Sequence, residues 1–286
     1  MNAWREQPLF FDHAGTRLYG MFYPAQRSIT PRRGLVICPA IGAEADLSSA
    51  VMVQFARCAA AAGLEVFRFD YRGCGESEGA FEDATLEEWL DDVHGAVRYF
   101  QHHAAVDTVG MLGLRLGGTV ALLAASRTPA VEWVCLWEPV LVPHVFVDEL
   151  LQQQFLAHNL WTDRPLKDRR ELLILNGRGV ELLGYCWRKE TVEALTRLDV
   201  LSALHSVGVP SLIVHLGSGR SKRCRALREA LQERGIPSEL LEVDTEIFWQ
   251  KSSRPDLDLL KLRRQDALVH HTLGWITLQA RLPSHA

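Results

Sequence analysis

The segment around Arg115 constrains the fold of this chain of 286 residues more than any other. Residues 109–114 form a short apolar run, and glycines flank position 115 at Gly113 and Gly117. From Leu116 onward the apolar residues have helical spacing. This order predicts a buried strand, a sharp turn and a helix. Arg115 lies at the tip of the turn, where its protonated guanidinium cannot act as a nucleophile.

The composition is that of an ordinary globular protein, with 48% apolar and 23% charged residues. The formal net charge of -4 argues against a general affinity for nucleic acid or for an anionic membrane surface. No apolar run approaches the roughly 20 residues that cross a bilayer. No apolar segment of a secretion signal follows Met1. We therefore expect a cytoplasmic protein without a membrane span.

The cysteines and histidines form no local metal-binding motif. The six cysteines are scattered, and scattered cysteines in such a chain are mostly free, buried thiols. Cys38 and Cys74 lie near the expected site, but a thiolate acts as a nucleophile only where a base lowers its pKa. We interpret both as inert, and His215, on a predicted core strand, as a structural histidine. We predict no metal and no cofactor.

The order of the predicted elements is that of an α/β protein. Strands and helices alternate over 33–137 and again over 209–282, which predicts a mostly parallel sheet with helices on both faces. Between these ranges the alternation breaks, and most of the segment is predicted to be helical, including most of 171–198. We interpret residues 1–139 and 207–286 as the core, and 140–206 as a helical cap inserted after the sixth strand.

Several stretches resemble a known family. The sequence FDYRGCGES at 69–77 is similar to the F-D-x-R-G-x-G-x-S segment of serine-aminopeptidase-like α/β-hydrolases, and the turn at Arg115 resembles their nucleophile elbow. Within this family the chain most resembles the hydrolases associated with the exosortase A system of exopolysaccharide-producing bacteria. That similarity rests on residues 113–117, 136–140, 180–185 and 248–250. The resemblance implies an α/β-hydrolase fold, an acyl- or ester-type substrate pocket, and an Arg115 that is a trait of the branch.

Three positions that carry the chemistry of a serine hydrolase lack the required residue. In this fold the triad runs in the order Ser, Asp or Glu, His. The nucleophile position holds Arg115. Residues 217–220, after a predicted strand, contain no carboxylate, and residues 243–249, after the last predicted strand, contain no histidine. We therefore do not expect the standard mechanism.

One of two interpretations of the turn is an anion site. The backbone N–H groups of Ile41 and Leu116 are placed to point at an anion or a polarised carbonyl, and the positive end of the helix adds to the local potential. The planar guanidinium of Arg115 suits bidentate contact with a carboxylate or phosphate. The alternative, of equal weight, is that Arg115 only forms an ion pair, with Glu138 as the best candidate partner.

Two functional hypotheses remain open. The first is a non-standard hydrolase or acyl-transfer enzyme that polarises an acyl carbonyl with Arg115, in exopolysaccharide or related envelope biosynthesis. The second is a non-catalytic pseudo-hydrolase that acts as a ligand-binding or accessory protein. Either protein would bind a small acyl or anionic ligand. A second copy of the chain, forming a homodimer, is a further candidate partner.

Overall fold

The computed structural model describes residues 6–27, 31–172, 179–206, 208–250 and 265–281. The strands in this part of the chain are β1 Gln7–His13, β2 Thr16–Tyr23, β3 Arg33–Cys38, β4 Glu65–Phe69, β5 Thr108–Leu114, β6 Val131–Trp137, β7 Gly179–Leu182, β8 Tyr185–Arg188, β9 Ser211–Leu216 and β10 Ser238–Val243. The helices are α1 Ala43–Ala62, α2 Leu86–Ala104, α3 Leu116–Ala125, α4 Pro143–Trp161, α5 Lys189–Arg197, α6 Lys222–Gln232 and α7 Asp266–Arg281.

Eight of the strands form one sheet in the order β1-β2-β4-β3-β5-β6-β9-β10. β2 pairs antiparallel with both β1 and β4, and all other neighbours are parallel. The predicted fold class, a mostly parallel sheet with helices, is confirmed. Because the carboxyl ends of parallel strands meet at one edge of a sheet, the loops after β3, β5, β6 and β9 lie side by side at that edge.

Helices cover both faces of the sheet. One apolar cluster joins the sheet to α2, α3 and α6, and a second joins it to α1 and α7. The apolar runs of β3 and β5 are buried almost throughout, as expected for strands covered on both faces. No helix of the described ranges combines the length and the apolar character needed to cross a bilayer.

The segment between β6 and β9 contains α4, α5 and a two-stranded hairpin of β7 and β8. The prediction that most of 171–198 is helical is therefore wrong for the hairpin. Burial alternates there with a period of two, since Val180 and Leu182 are buried and Glu181 between them is exposed. The turn at Leu183 has positive φ, which interrupts any helix. The closing helix expected up to residue 282 is described from Asp266, and residues 251–264 lie outside the described part.

The elbow depends on close backbone packing around two glycines. A Cβ atom on Gly117 would overlap the carbonyl oxygen of Pro39, and one on Gly113 would overlap the backbone of Gly118. The backbone at these two contacts cannot shift to make room for a Cβ atom, whereas the end of a flexible side chain could. The loop after β3 therefore rests directly on the start of α3, which brings the two predicted amide donors to one place.

We expect Gly117→Ala to destabilise the protein by about 1–3 kcal/mol, because the added methyl group overpacks a rigid backbone contact. Gly274→Ala is the matched control, since a Cβ there, on α7, meets no atom within 4 Å. That substitution should be neutral or stabilising by about 0.5–1 kcal/mol, because alanine favours a helix over glycine. Urea unfolding of both variants measures the difference, and equal stabilities would contradict this packing.

Candidate functional site

Arg115 occupies a strained turn between β5 and α3. Its φ of 53° and ψ of -125° are unfavourable for a residue with a side chain. The turn is held by its backbone: the Arg115 N–H donates to the carbonyl of Trp137 at 3.0 Å, and its carbonyl accepts from the N–H groups of Gly118 and Thr119 at 3.0 and 3.2 Å. The chain has therefore kept the strained shape that exposes a nucleophile, with a residue that cannot serve as one.

The guanidinium of Arg115 is paired with a buried carboxylate. Its Nε donates to both carboxylate oxygens of Glu44, at 3.0 and 3.2 Å, and the two side chains are 11% and 7% exposed. A half-exposed second carboxylate, that of Glu149, lies 3.9 Å from Nη2. The prediction that Glu138 is the ion-pair partner of Arg115 is wrong. The Arg115 side chain points toward the start of α1, while the carboxylate of Glu138 is hydrogen-bonded to other residues.

Glu44 is the site residue that the sequence reasoning missed. It is the second residue of α1, directly after the loop that carries Ile41. Burial raises its pKa to about 7, although Arg115 acts in the opposite direction by attracting the charged form. The only signal in the sequence was an acidic residue in the first turn of a helix, which is common on protein surfaces.

Two aromatic rings flank the Arg115 guanidinium. Its Cζ lies 5.6 Å from the ring centre of Phe146 and 5.3 Å from that of Trp249, both within the range of cation–π attraction. Trp249 follows the last strand, where the catalytic histidine is expected in this fold, and its side chain is buried. An indole N–H only donates, so it cannot accept the proton that a serine would release.

The outer edge of the guanidinium remains available. Nη1 and Nη2 donate no hydrogen bond to any residue that the structure describes, whereas Nε is fully used by Glu44. The same holds for the backbone N–H groups of Ile41 and Leu116, which have no acceptor in the described ranges. Ion pairing and ligand binding by Arg115 are therefore compatible, because they use different donors.

Glu138 forms a pair with His215 at the end of β6. Its Oε2 accepts from Nδ1 of His215 at 2.8 Å and from the N–H of Leu216 at 2.9 Å. The Glu138 backbone has a positive φ of 42°, a second strained position beside the elbow. His215 is thus hydrogen-bonded, as a structural histidine would be, but its partner was not foreseen. Glu138 stands one strand away from the position where the acid of the triad is expected.

Arg115 lines one cavity, and the loop after β3 lines another. The smaller, about 40 Å³, is a cleft lined by Arg115, Glu138, Phe146, Glu149 and Cys224, among others. The larger, about 280 Å³, is lined in part by the loop at 39–42 and by polar side chains that include Arg68, Asp70 and Tyr185. Of these two cavities, Arg115 lines the smaller, so this cleft is the candidate anion site.

The thiols of Cys38 and Cys74 are not activated. Burial raises the pKa of each to about 12, and nearby carboxylates add to the effect at Cys74. Both thiols therefore stay protonated at neutral pH, whereas the thiolate is the form that attacks a carbonyl.

This sheet topology, with a strained strand-to-helix turn and two free amides beside it, defines the α/β-hydrolase fold. Residues 31–177, just over half of the chain, match the family described as serine aminopeptidase, S33, and the chain belongs to that family.

Solved structures of esterases and lactonases share this fold. Est1E from Butyrivibrio proteoclasticus, solved with ferulic acid, superposes with a TM-score of 0.65 at 18% identity over 94% of this chain and 99% of that one. The enol-lactonase from Burkholderia xenovorans LB400 gives 0.58 at 18% identity, over 94% and 100%. A stretch of 55 residues is 61% identical to a probable 2-oxo-3-(5-oxofuran-2-ylidene)propanoate lactonase of a Bradyrhizobium species, over 18% of this chain. The matched stretches span only 22% of such curated relatives.

We expect Arg115→Met to destabilise the protein strongly near pH 8 and weakly near pH 5. The substitution leaves Glu44 buried without a cation, and removing one partner of a buried pair costs about 3–5 kcal/mol when the other is charged. Burial already raises the folded-state pKa of Glu44 from its ordinary value of 4.5 to about 7, and removing the guanidinium raises it further. A group whose pKa is higher in the folded state than in the unfolded state makes its full contribution to stability below the unfolded-state pKa. That contribution is lost as the pH rises through the folded-state pKa.

Urea unfolding at both pH values measures this dependence. In the control variant R115M/E44Q the buried group is neutral at every pH, so the extra loss near pH 8 should disappear. An equal loss at the two pH values in R115M would show that Glu44 does not carry the charge opposite Arg115.

Proposed function

We propose that this chain is a pseudo-hydrolase that binds the anionic end of a small acyl ligand at Arg115 and does not cleave it with a serine. The observation that carries the proposal is that Arg115 lines the cleft while only its Nε is hydrogen-bonded to Glu44, and that its Nη groups donate no hydrogen bond to a described residue. A carboxylate or phosphate accepts two parallel N–H bonds from such groups. The cleft, about 40 Å³, has room for an anionic group only. The acyl portion would extend outward along the apolar wall at Leu141 and Phe146.

The ion pair with Glu44 supports this role. An arginine whose Nε is held by a carboxylate and whose guanidinium lies near two aromatic rings has lost rotational freedom before the ligand arrives, and preorganisation lowers the cost of binding. Arg223 also lines the cleft. Because Glu44 already pairs with Arg115, the positive charge of Arg223 is the one that offsets part of the repulsion of an anion by Glu138 and Glu149.

The setting that we propose is exopolysaccharide or related envelope biosynthesis, through the exosortase-associated branch. Three of the four stretches that carry this resemblance, 113–117, 136–140 and 248–250, meet at Arg115. The ring centre of Trp249 lies 5.3 Å from the Cζ atom of Arg115, and the Val140 N–H donates to the Arg115 carbonyl at 3.3 Å. These contacts favour the interpretation that the motifs were retained together around one arginine.

A second candidate function is hydrolysis without a serine, and the environment of Glu44 favours it. A carboxyl group with a pKa of about 7 is suited to general base catalysis near neutral pH. Glu44 would take a proton from a water molecule, and the resulting hydroxide would attack an acyl carbonyl held at the Ile41 and Leu116 amides. The proton would then pass to the leaving alcohol.

We expect hexanoate to bind the protein and hexanamide, its neutral isostere, not to bind. The affinity for hexanoate should fall at least about tenfold in R115M/E44Q, since a charge-assisted bidentate contact of this kind contributes on the order of 1.5–3 kcal/mol. Calorimetric titration measures both probes. Arg127→Met is the matched control, because Arg127 pairs with Glu87 on the surface and lines no cavity at the elbow. Equal binding of acid and amide would overturn the proposal.

Intact mass analysis after exposure to a fluorophosphonate should show no adduct, because none of the described residues places an activated nucleophile at the elbow. In parallel, 4-nitrophenyl butyrate tests the second function. Turnover that disappears in E44Q, with the fold intact, would establish water activation by Glu44 in place of binding alone. A stoichiometric adduct on any serine or cysteine would contradict both functions and identify a nucleophile.

A further inference from the structure

Three side chains of different metal-ligand types meet beside the cleft. They are Glu138 at the end of β6, His215 on β9 and Cys224 in the first turn of α6. One ligand atom of each, a carboxylate oxygen, an imidazole nitrogen and a thiol sulfur, lies within 4.8 Å of the other two. They come from three separate segments, so no local motif announces the cluster.

The backbone holds each of the three in place. Oε2 of Glu138 accepts from the N–H of Leu216 and from His215, whereas its Oε1 has no partner within the described ranges. The backbone N–H of Cys224 donates to the Oγ of Ser221, which caps α6 and fixes the first turn. Cys224 is only 1% exposed, and the side chains of Glu138 and His215 are also largely shielded. The cluster is therefore rigid and mostly closed to bulk water.

The donor set selects a class of ion. Sulfur, imidazole nitrogen and carboxylate oxygen together are the ligands of Zn²⁺ and its neighbours in the first transition row, whereas Ca²⁺ and Mg²⁺ take oxygen ligands. Three protein ligands also leave one position of a tetrahedral ion open, as in zinc sites that keep a bound water. Glu138 and Cys224 both line the cleft. A coordination position left open on that side of the ion would face the space of the cleft.

We propose that Glu138, His215 and Cys224 bind one Zn²⁺ ion, with its open coordination position toward the cleft that Arg115 lines. Binding replaces the thiol proton of Cys224 with a bond to the ion, and this proton is released to solvent. Where Nδ1 of His215 is the ligand atom, its proton, which Glu138 accepts in the metal-free protein, is lost to solvent and Nε2 takes one up, so that the imidazole stays neutral. The positive charges of Arg115 and Arg223 oppose the ion. The thiolate and the carboxylates of Glu138 and Glu149 compensate for them.

Cobalt substitution tests the site directly. The full-length protein, stripped of metal with a chelator and titrated with Co²⁺, should bind one equivalent. It should show the near-ultraviolet absorption of a thiolate bonded to cobalt together with the intense visible bands of a tetrahedral site. Competition with Zn²⁺ should remove both. Absence of the thiolate band in the wild-type protein would overturn the proposal.

Substitutions assign the ligands. C224S should abolish the thiolate band, and C224S, H215A and E138Q should each weaken Zn²⁺ binding at least tenfold, since losing even an outer-shell partner costs about 10–100-fold. Cys58→Ser is the matched control, because Cys58 is a half-buried cysteine on α1, outside the cluster. Circular dichroism of metal-free C224S should match the wild type, which separates ligand loss from unfolding. A band that survives C224S, or that disappears in C58S, would place the metal elsewhere.

Discussion

The buried ion pair between Arg115 and Glu44 determines what this site can do. A guanidinium at the tip of a strained turn needs a counter-charge, and the first turn of α1 supplies one that burial alone would keep protonated. The pair fixes the plane of the guanidinium and leaves one of its edges toward the cleft. Loss of a serine nucleophile therefore did not leave a collapsed site. It left a positive group in a defined orientation beside two free amides.

The elbow has the strained backbone conformation of a serine hydrolase although its tip residue is not a nucleophile. In a serine hydrolase the unfavourable backbone conformation presents a nucleophile above the sheet. Here the same conformation presents the guanidinium, and the packing of Gly117 against Pro39 holds it there. Trp249 closes the side from which a histidine would act. Each change would disable a serine hydrolase by itself, and together they place a positive charge and an aromatic ring at the positions where the nucleophile and the base are expected.

Prediction from the sequence succeeded where local pattern and chain order decide structure. The alternation of apolar strands and amphipathic helices specified the sheet, and the glycines around Arg115 specified the turn. It failed at the β7–β8 hairpin, where a short period-two pattern lay within a segment of mixed spacing. It failed again for the partner of Arg115, because Glu138 is nearer along the chain and ends a neighbouring strand. Glu44 is 71 residues away from Arg115, and nothing in the order of the residues links the two.

The sequence by itself determined the α/β-hydrolase fold, the position of Arg115 at the elbow and the absence of a triad histidine after the last strand. These follow from local periodicity and from residue type at positions that the topology defines. Only the tertiary structure decided which carboxylate faces the arginine, and that Glu138, His215 and Cys224 meet. Such contacts depend on the direction of each side chain where separate strands and helices end at one edge of the sheet. Spacing along the chain does not record that direction.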